Sequence, residues 1–172
     1  VKSAAAAELV VHTLKRSGFT IAVAESLTGG LLTAALTSVP GASAVVVGGV
    51  VAYNTELKRL ILGVDATLLA REGAVHADVA AQMAANVRGA LAVGGRPADV
   101  GIATTGVAGP EPQDGKAVGT VFVGFAFHDD IIVTELHLSG DRASIRKTVV
   151  SESLLQLLAI LHSGGFSQDP RE

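Results

Sequence analysis

Apolar positions along the chain recur at two periods, which divide it into alternating helices and strands. Over residues 3–16, Ala7, Val10, Val11 and Leu14 share one helical face, Glu8, His12 and Lys15 fall elsewhere, and Gly18 closes the helix. Residues 20–24 form a short apolar run with strand character, and 31–36 return to helical spacing before Pro40-Gly41. Residues 45–52 are β-branched and nearly free of polar side chains, the pattern of a strand buried on both faces. Two short helices follow, one capped by Asn54 or Thr55 and closed by Gly63, the next opened by Asp65. A longer helix over 77–91 aligns Ala80, Met83, Ala84, Val87 and Leu91 on one stripe. After a loop at 94–97, residues 99–104 read as a third buried strand. Residues 120–127 and 131–138 then flank His128-Asp129-Asp130 as a hairpin. The last helix, capped by Ser139 or Asp141, carries Ile145, Val149, Leu154, Leu157, Leu158 and Leu161 on one face. Residues 163–172 are polar with Gly and Pro and read as a flexible tail.

This alternation, finished by a hairpin and a helix, predicts one three-layer α/β/α domain over residues 1–162. Its sheet is expected to be mixed, mostly parallel and of about five strands. Ligands of such folds collect at the carboxyl ends of the strands. Three predicted strand ends carry polar, turn-forming residues: Glu25-Ser26, Tyr53-Asn54 and Thr104-Thr105-Gly106. Their convergence would make one pocket.

Composition narrows the choices. A length of 172 residues suits one domain with a sizeable core, and the scarcity of aromatics means that Ala, Val, Leu and Ile must build it. A net charge of -3 gives no basic footprint for nucleic acid. The absence of cysteine excludes disulfides, thiolate metal sites and a cysteine nucleophile. No charged residue lies between Glu25 and Glu56, but glycines, threonines and Pro40 break that stretch before it could span a membrane. With no signal-peptide pattern at the start, the expected location is the cytoplasm. The Ala- and Val-rich, charge-poor chain is expected to form a homo-oligomer, a dimer or higher.

The stretch Ala24-Glu25-Ser26-Leu27-Thr28-Gly29-Gly30 falls at a strand-to-helix switch. The first amides of a helix are unpaired and partly positive, so a hydroxyl here suits a nucleophile or an anion site. Equally, Ser26 or Thr28 suits a plain helix cap. A serine nucleophile needs a base within about 2.6–3.2 Å. No histidine falls in these segments, which removes a Ser-His-Asp arrangement. The five histidines show no ligand spacing, and neither a metal nor another cofactor is expected. Ser144-Ile145-Arg146-Lys147 matches a Ser-x-x-Lys motif but sits inside the last helix, away from every strand end. What remains is Ser26 with Lys58 and Tyr53. Lys58 is one turn into a helix that begins beside a strand end, so it either projects back to the pocket or is a surface lysine. Tyr53 either relays a proton or is an edge tyrosine with a wet hydroxyl. Arg142 and Arg146 share a helix face four residues apart, either as a phosphate site or as solvated cations.

Taken in order, these pieces resemble the CinA C-terminal domain family, whose characterised members are nicotinamide mononucleotide deamidases. The matching stretches are Ala24 to Gly30, Gly49 to Lys58, Leu62-Gly63-Val64, Gly73-Ala74-Val75, Thr105 to Pro110, Val118-Gly119-Thr120-Val121 and Gly140-Asp141-Arg142. They span nearly the whole domain. The resemblance implies hydrolysis of the carboxamide of nicotinamide mononucleotide to nicotinic acid mononucleotide and ammonia, without a metal or cofactor. It implies Ser26 as nucleophile, with Lys58 and Tyr53 assisting its deprotonation. Glu25, Thr28, Gly29, Gly30, Asn54, Thr104, Thr105, Gly106, Ala108, Gly109 and Arg142 would contact the small-molecule nucleotide. The alternative is a non-catalytic nucleotide-binding module of the same family. Three positions depart from the usual pattern: His76 in place of Ser, a polar loop from Glu111 to Lys116 in place of a glycine-rich one, and Ala117 in place of Pro.

Overall fold

The alternation folds as α1 (Lys2–Ser17), β1 (Ile21–Glu25), α2 (Leu31–Thr37), β2 (Val46–Val51), α3 (Thr55–Leu60) and α4 (Ala66–Glu72). Then come α5 (Ala77–Ala90), β3 (Val100–Gly106), β4 (Thr120–Phe127), β5 (Asp130–His137) and α6 (Arg142–Ser163). The structure is a computed structural model that describes residues 2–163. Apart from Ser163, the expected tail lies outside the described residues.

The sheet order is β2-β1-β3-β4-β5. β1 pairs in parallel with β2 and β3, while β4 is antiparallel to both β3 and β5, so only β4 runs against the rest. This is the expected three-layer α/β/α architecture with a mixed, mostly parallel sheet. Alternation along β1 sends Ile21 and Val23 to one face and Ala22 and Ala24 to the other. Large side chains on the first face, including Phe125 and Ile102, pack under α1, α2 and α6. The second face is built of small residues. A Cβ on Gly101 would lie 1.9 Å from the Ala84 carbonyl oxygen, and one on Gly124 would lie 2.3 Å from that of Ala80. Glycine at these two points lets α5 lie directly on the sheet. Among the described residues, no helix is long and apolar enough to cross a membrane.

Three expectations need correction. β2 is not buried on both faces: it is the edge strand, half-exposed, with Val51 open to solvent. Its Val-rich composition reports strand propensity, which does not specify how many neighbours a strand has. The helix after the opening stretch ends at Thr37, short of Pro40, because the Thr37 and Ser38 hydroxyls turn back onto the carbonyls of Thr33 and Ala34. The hairpin turn is also tighter than predicted, since Phe127 pairs with Asp130 and leaves only His128 and Asp129 in the loop.

Register positions the site. Glu25 pairs with Val51 on one side and with Thr104 on the other, so the carboxyl ends of β1, β2 and β3 lie level. Ser26, Ala52-Tyr53 and Thr105-Gly106 therefore emerge together.

Candidate active site

Ser26 leaves β1 with its N–H donated to the Thr104 carbonyl, which continues the ladder one residue beyond the strand. Lys58 arrives from α3. Asn54 caps that helix by accepting the Glu56 N–H at 2.9 Å, and the helix direction carries Lys58 back over the strand ends. The Lys58 side chain is 1% exposed. Its Nζ lies 3.0 Å from Ser26 Oγ and 2.7 Å from the Ala52 carbonyl oxygen. Burial removes water from the ammonium and lowers the Lys58 pKa from its usual value to about 8, with Asp114 opposing the shift. The surface-lysine reading of Lys58 is therefore excluded by position. An amine that gives up its proton near pH 8 stands against a serine hydroxyl.

The two residues open into a cavity of about 540 Å³, counted to its mouth. Its walls include Tyr53, Thr105, Gly106, Ala108, Gly109 and Arg142 from the expected set. Arg142 bridges the mouth, donating to the Gly109 carbonyl at 2.8 Å and to the Tyr53 hydroxyl at 2.7 Å. Both partners are neutral oxygens, so the guanidinium is oriented without its charge being cancelled. The Thr105 hydroxyl is committed to the Ala74 carbonyl at 2.7 Å.

Several expected contacts go elsewhere. Glu25 is fully buried, and its carboxylate accepts the N–H groups of Gly30, Leu32 and Thr33 and the Thr33 hydroxyl. Glu25 thus caps α2 and does not face the cavity, which also removes Thr28 as the cap. The Thr28 hydroxyl instead meets that of Thr104 at 2.8 Å, and both residues are buried outside the cavity. The amides of Gly29 and Gly30 are likewise taken, by the Ser26 carbonyl and by Glu25. The unpaired helix-terminal amides read from the sequence are consequently not free. Among the described residues, only the N–H groups of Leu27 and Thr28 in this turn have no acceptor, and of the two Leu27 lines the cavity. Asn54 caps α3 and does not line the cavity. Tyr53 meets Arg142 rather than Ser26 or Lys58, which places it at the mouth and not in the proton path. The Arg142–Arg146 pair also separates, with Arg146 spent on the Leu27 and Thr28 carbonyls. Ser144 and Lys147 lie exposed on α6, away from the cavity.

The sequence reading missed Leu27, Ala74, Val75, Glu111 and Gln113 in the walls, and Asp114, which contacts Gly73 and Ala74 beside them. Asp114 accepts the Ala74 N–H at 2.9 Å and presses on Gly73, where a Cβ would lie 2.4 Å from the Asp114 Cγ. Asp114-Gly115, both at positive φ, forms a tight hairpin turn closed by the Gln113–Lys116 bridge. His76, one of the departures, caps α5 by accepting the Asp78 N–H at its Nδ1, the task a serine would perform there. Among the described residues, no three His, Asp or Glu side chains gather to hold a metal ion. Because Asp114 favours the charged form of Lys58, Asp114→Asn is expected to lower the Lys58 pKa further. The titration midpoint of Lys58 should then move below about 8, and an upward or absent shift would remove Asp114 from the electrostatics of the site.

A mixed-sheet α/β domain with a buried serine–lysine pair at its strand ends defines the class. The CinA C-terminal domain matches residues 3–161, and the chain belongs to that family. It is 51% identical over 146 residues to the "CinA-like protein" of Frankia casuarinae, covering 85% of this chain and 33% of that one. The chain spans about a third of the length of the curated relatives it matches. Among solved structures, a CinA superfamily protein from Enterobacter cloacae superposes with a TM-score of 0.87 at 32% identity, covering 92% of each chain. The competence/damage inducible protein CihA from Agrobacterium tumefaciens gives 0.85 at 32% identity, covering 94% of this chain and 96% of that one.

Proposed function

We propose that this domain is a serine amidohydrolase that cleaves the carboxamide of nicotinamide mononucleotide. The observation that carries the reading is the 3.0 Å contact between Lys58 Nζ and Ser26 Oγ, with the lysine desolvated. Neutral Lys58 takes the Ser26 proton as Oγ bonds to the carboxamide carbon and the carbonyl π electrons move onto oxygen. Protonated Lys58 then gives that proton to the amide nitrogen, the C–N bond breaks and ammonia leaves. Water, deprotonated by Lys58, attacks the ester, and Ser26 recovers its proton as the acid departs. The Ala52 carbonyl keeps the amine aimed throughout. At the mouth, Arg142 offers an uncancelled charge to the phosphate, and the Tyr53 ring stands beside it.

Incubation of the purified domain with nicotinamide mononucleotide, read by ammonia release, tests the reading. Turnover that depends on Ser26 supports it, while saturable binding without product would favour the non-catalytic module. Arg142→Ala should raise KM by about tenfold or more, the scale of a lost charge-assisted contact, with kcat within about threefold. An unchanged KM for the nucleotide would remove Arg142 from phosphate recognition.

A further inference from the structure

The turn that carries Ser26 is gripped from the far end of the chain. Arg146, on α6, donates from Nε to the Leu27 carbonyl and from Nη2 to the Thr28 carbonyl, each at 2.8 Å. Gly29 fits tightly beneath it, since a Cβ there would lie 3.0 Å from Arg146 Nη2. The grip travels through peptide planarity, because C=O and N–H of a trans peptide point in opposite directions. Holding the Thr28 carbonyl fixes the Gly29 N–H, which donates to the Ser26 carbonyl at 3.1 Å. That bond fixes the peptide joining Ser26 to Leu27, and hence the direction of the Leu27 N–H. The Leu27 side chain is packed in the core, so Leu27 lines the cavity with its main chain.

We propose that Arg146 is a positioning residue that holds the Leu27 N–H as oxyanion donor beside Ser26. The inference rests on the serine-nucleophile reading above. When Oγ bonds to a carbonyl carbon and its proton passes to Lys58 Nζ, the π electrons settle on the carbonyl oxygen. The Leu27 N–H donates to that oxygen. The residue after a nucleophilic serine fills the same role in other hydrolases. The relay also strengthens the donor, because a hydrogen-bonded carbonyl polarises the N–H of its own peptide.

The test uses p-nitrophenyl acetate, an activated ester that reports acylation of Ser26 by nitrophenolate release whatever the natural substrate. Arg146→Gln should slow acylation by about 10²–10³-fold, the scale of a lost oxyanion donor. The pH midpoint should stay at the wild-type value, because Lys58 is untouched. Arg146→Lys, which can hold one of the two carbonyls, should restore part of the rate. A wild-type rate in Arg146→Gln overturns the inference, and so does a slower rate with a displaced midpoint, which would place the effect on Lys58. If Arg146→Gln does not fold, a folded Arg146→Lys variant that acylates as fast as wild type overturns it equally. Ester turnover that survives in Ser26→Ala overturns the serine reading and the inference together. Ester turnover without ammonia from the nucleotide overturns only the proposed substrate.

Discussion

Ser26→Ala is expected to reduce ammonia release from nicotinamide mononucleotide by at least about 10⁴-fold, the scale seen when a serine nucleophile is removed. Nucleotide binding, measured by calorimetry, should stay within a few fold of wild type. The Ser26 hydroxyl accepts from Lys58 Nζ at one cavity wall, whereas Arg142 and Tyr53 sit at the mouth. The exchange of Oγ for hydrogen leaves the β1 end intact, since the Ser26 N–H and carbonyl keep their bonds to Thr104 and Gly29. Turnover that persists undiminished in Ser26→Ala would end the serine mechanism.

Lys58→Met carries the second large effect, and it moves activity and stability independently. If Lys58 is the general base of the proposed reaction, its loss should cut kcat by about 10²–10⁴-fold. For stability, the folded-state pKa of about 8 lies below the usual 10.5, so the folded protein gives up this proton first. Between those values the unfolded chain binds more protons, and wild-type stability rises with pH. Wild type therefore carries a penalty of about 3 kcal/mol below pH 8, relieved as pH climbs through the window. Methionine has no such group. Urea unfolding of both proteins at about pH 7 and about pH 10 should show wild type gaining on Lys58→Met as pH rises. A constant difference, or one that moves the other way, would mean that Lys58 is not desolvated in the fold.

The parts of the fold set by local periodicity were legible, and those set by long-range partners were not. α5 announced itself through its apolar stripe, and Asn54 and Asp65 were read as caps because each bonds within three residues of itself. Glu25 escaped because it caps α2 from five residues before Gly30, across the turn, where no cap signature applies. The edge position of β2 depends on which strands pair, and its residues are silent on that. Arg142 and Arg146 do share a helix face. Their side chains diverge because one meets the 109–110 turn and the other the 27–28 carbonyls, both more than thirty residues away. At the site, the strand ends predicted a pocket, but spacing alone left Lys58 between base and surface cation. The resemblance leaned toward the base, and the 3.0 Å contact settled the position. Asp114 was missed because an Asp-Gly turn reports its own hairpin and not the cavity wall it presses against.

The central claim is that Lys58 is a depressed-pKa amine held against Ser26. Heteronuclear NMR titration of the lysine side-chain resonances, with Lys58→Met used for assignment, tests it without reliance on any substrate. A midpoint of about 8 for Lys58 is the predicted result. A midpoint at the ordinary lysine value of about 10.4 would contradict it.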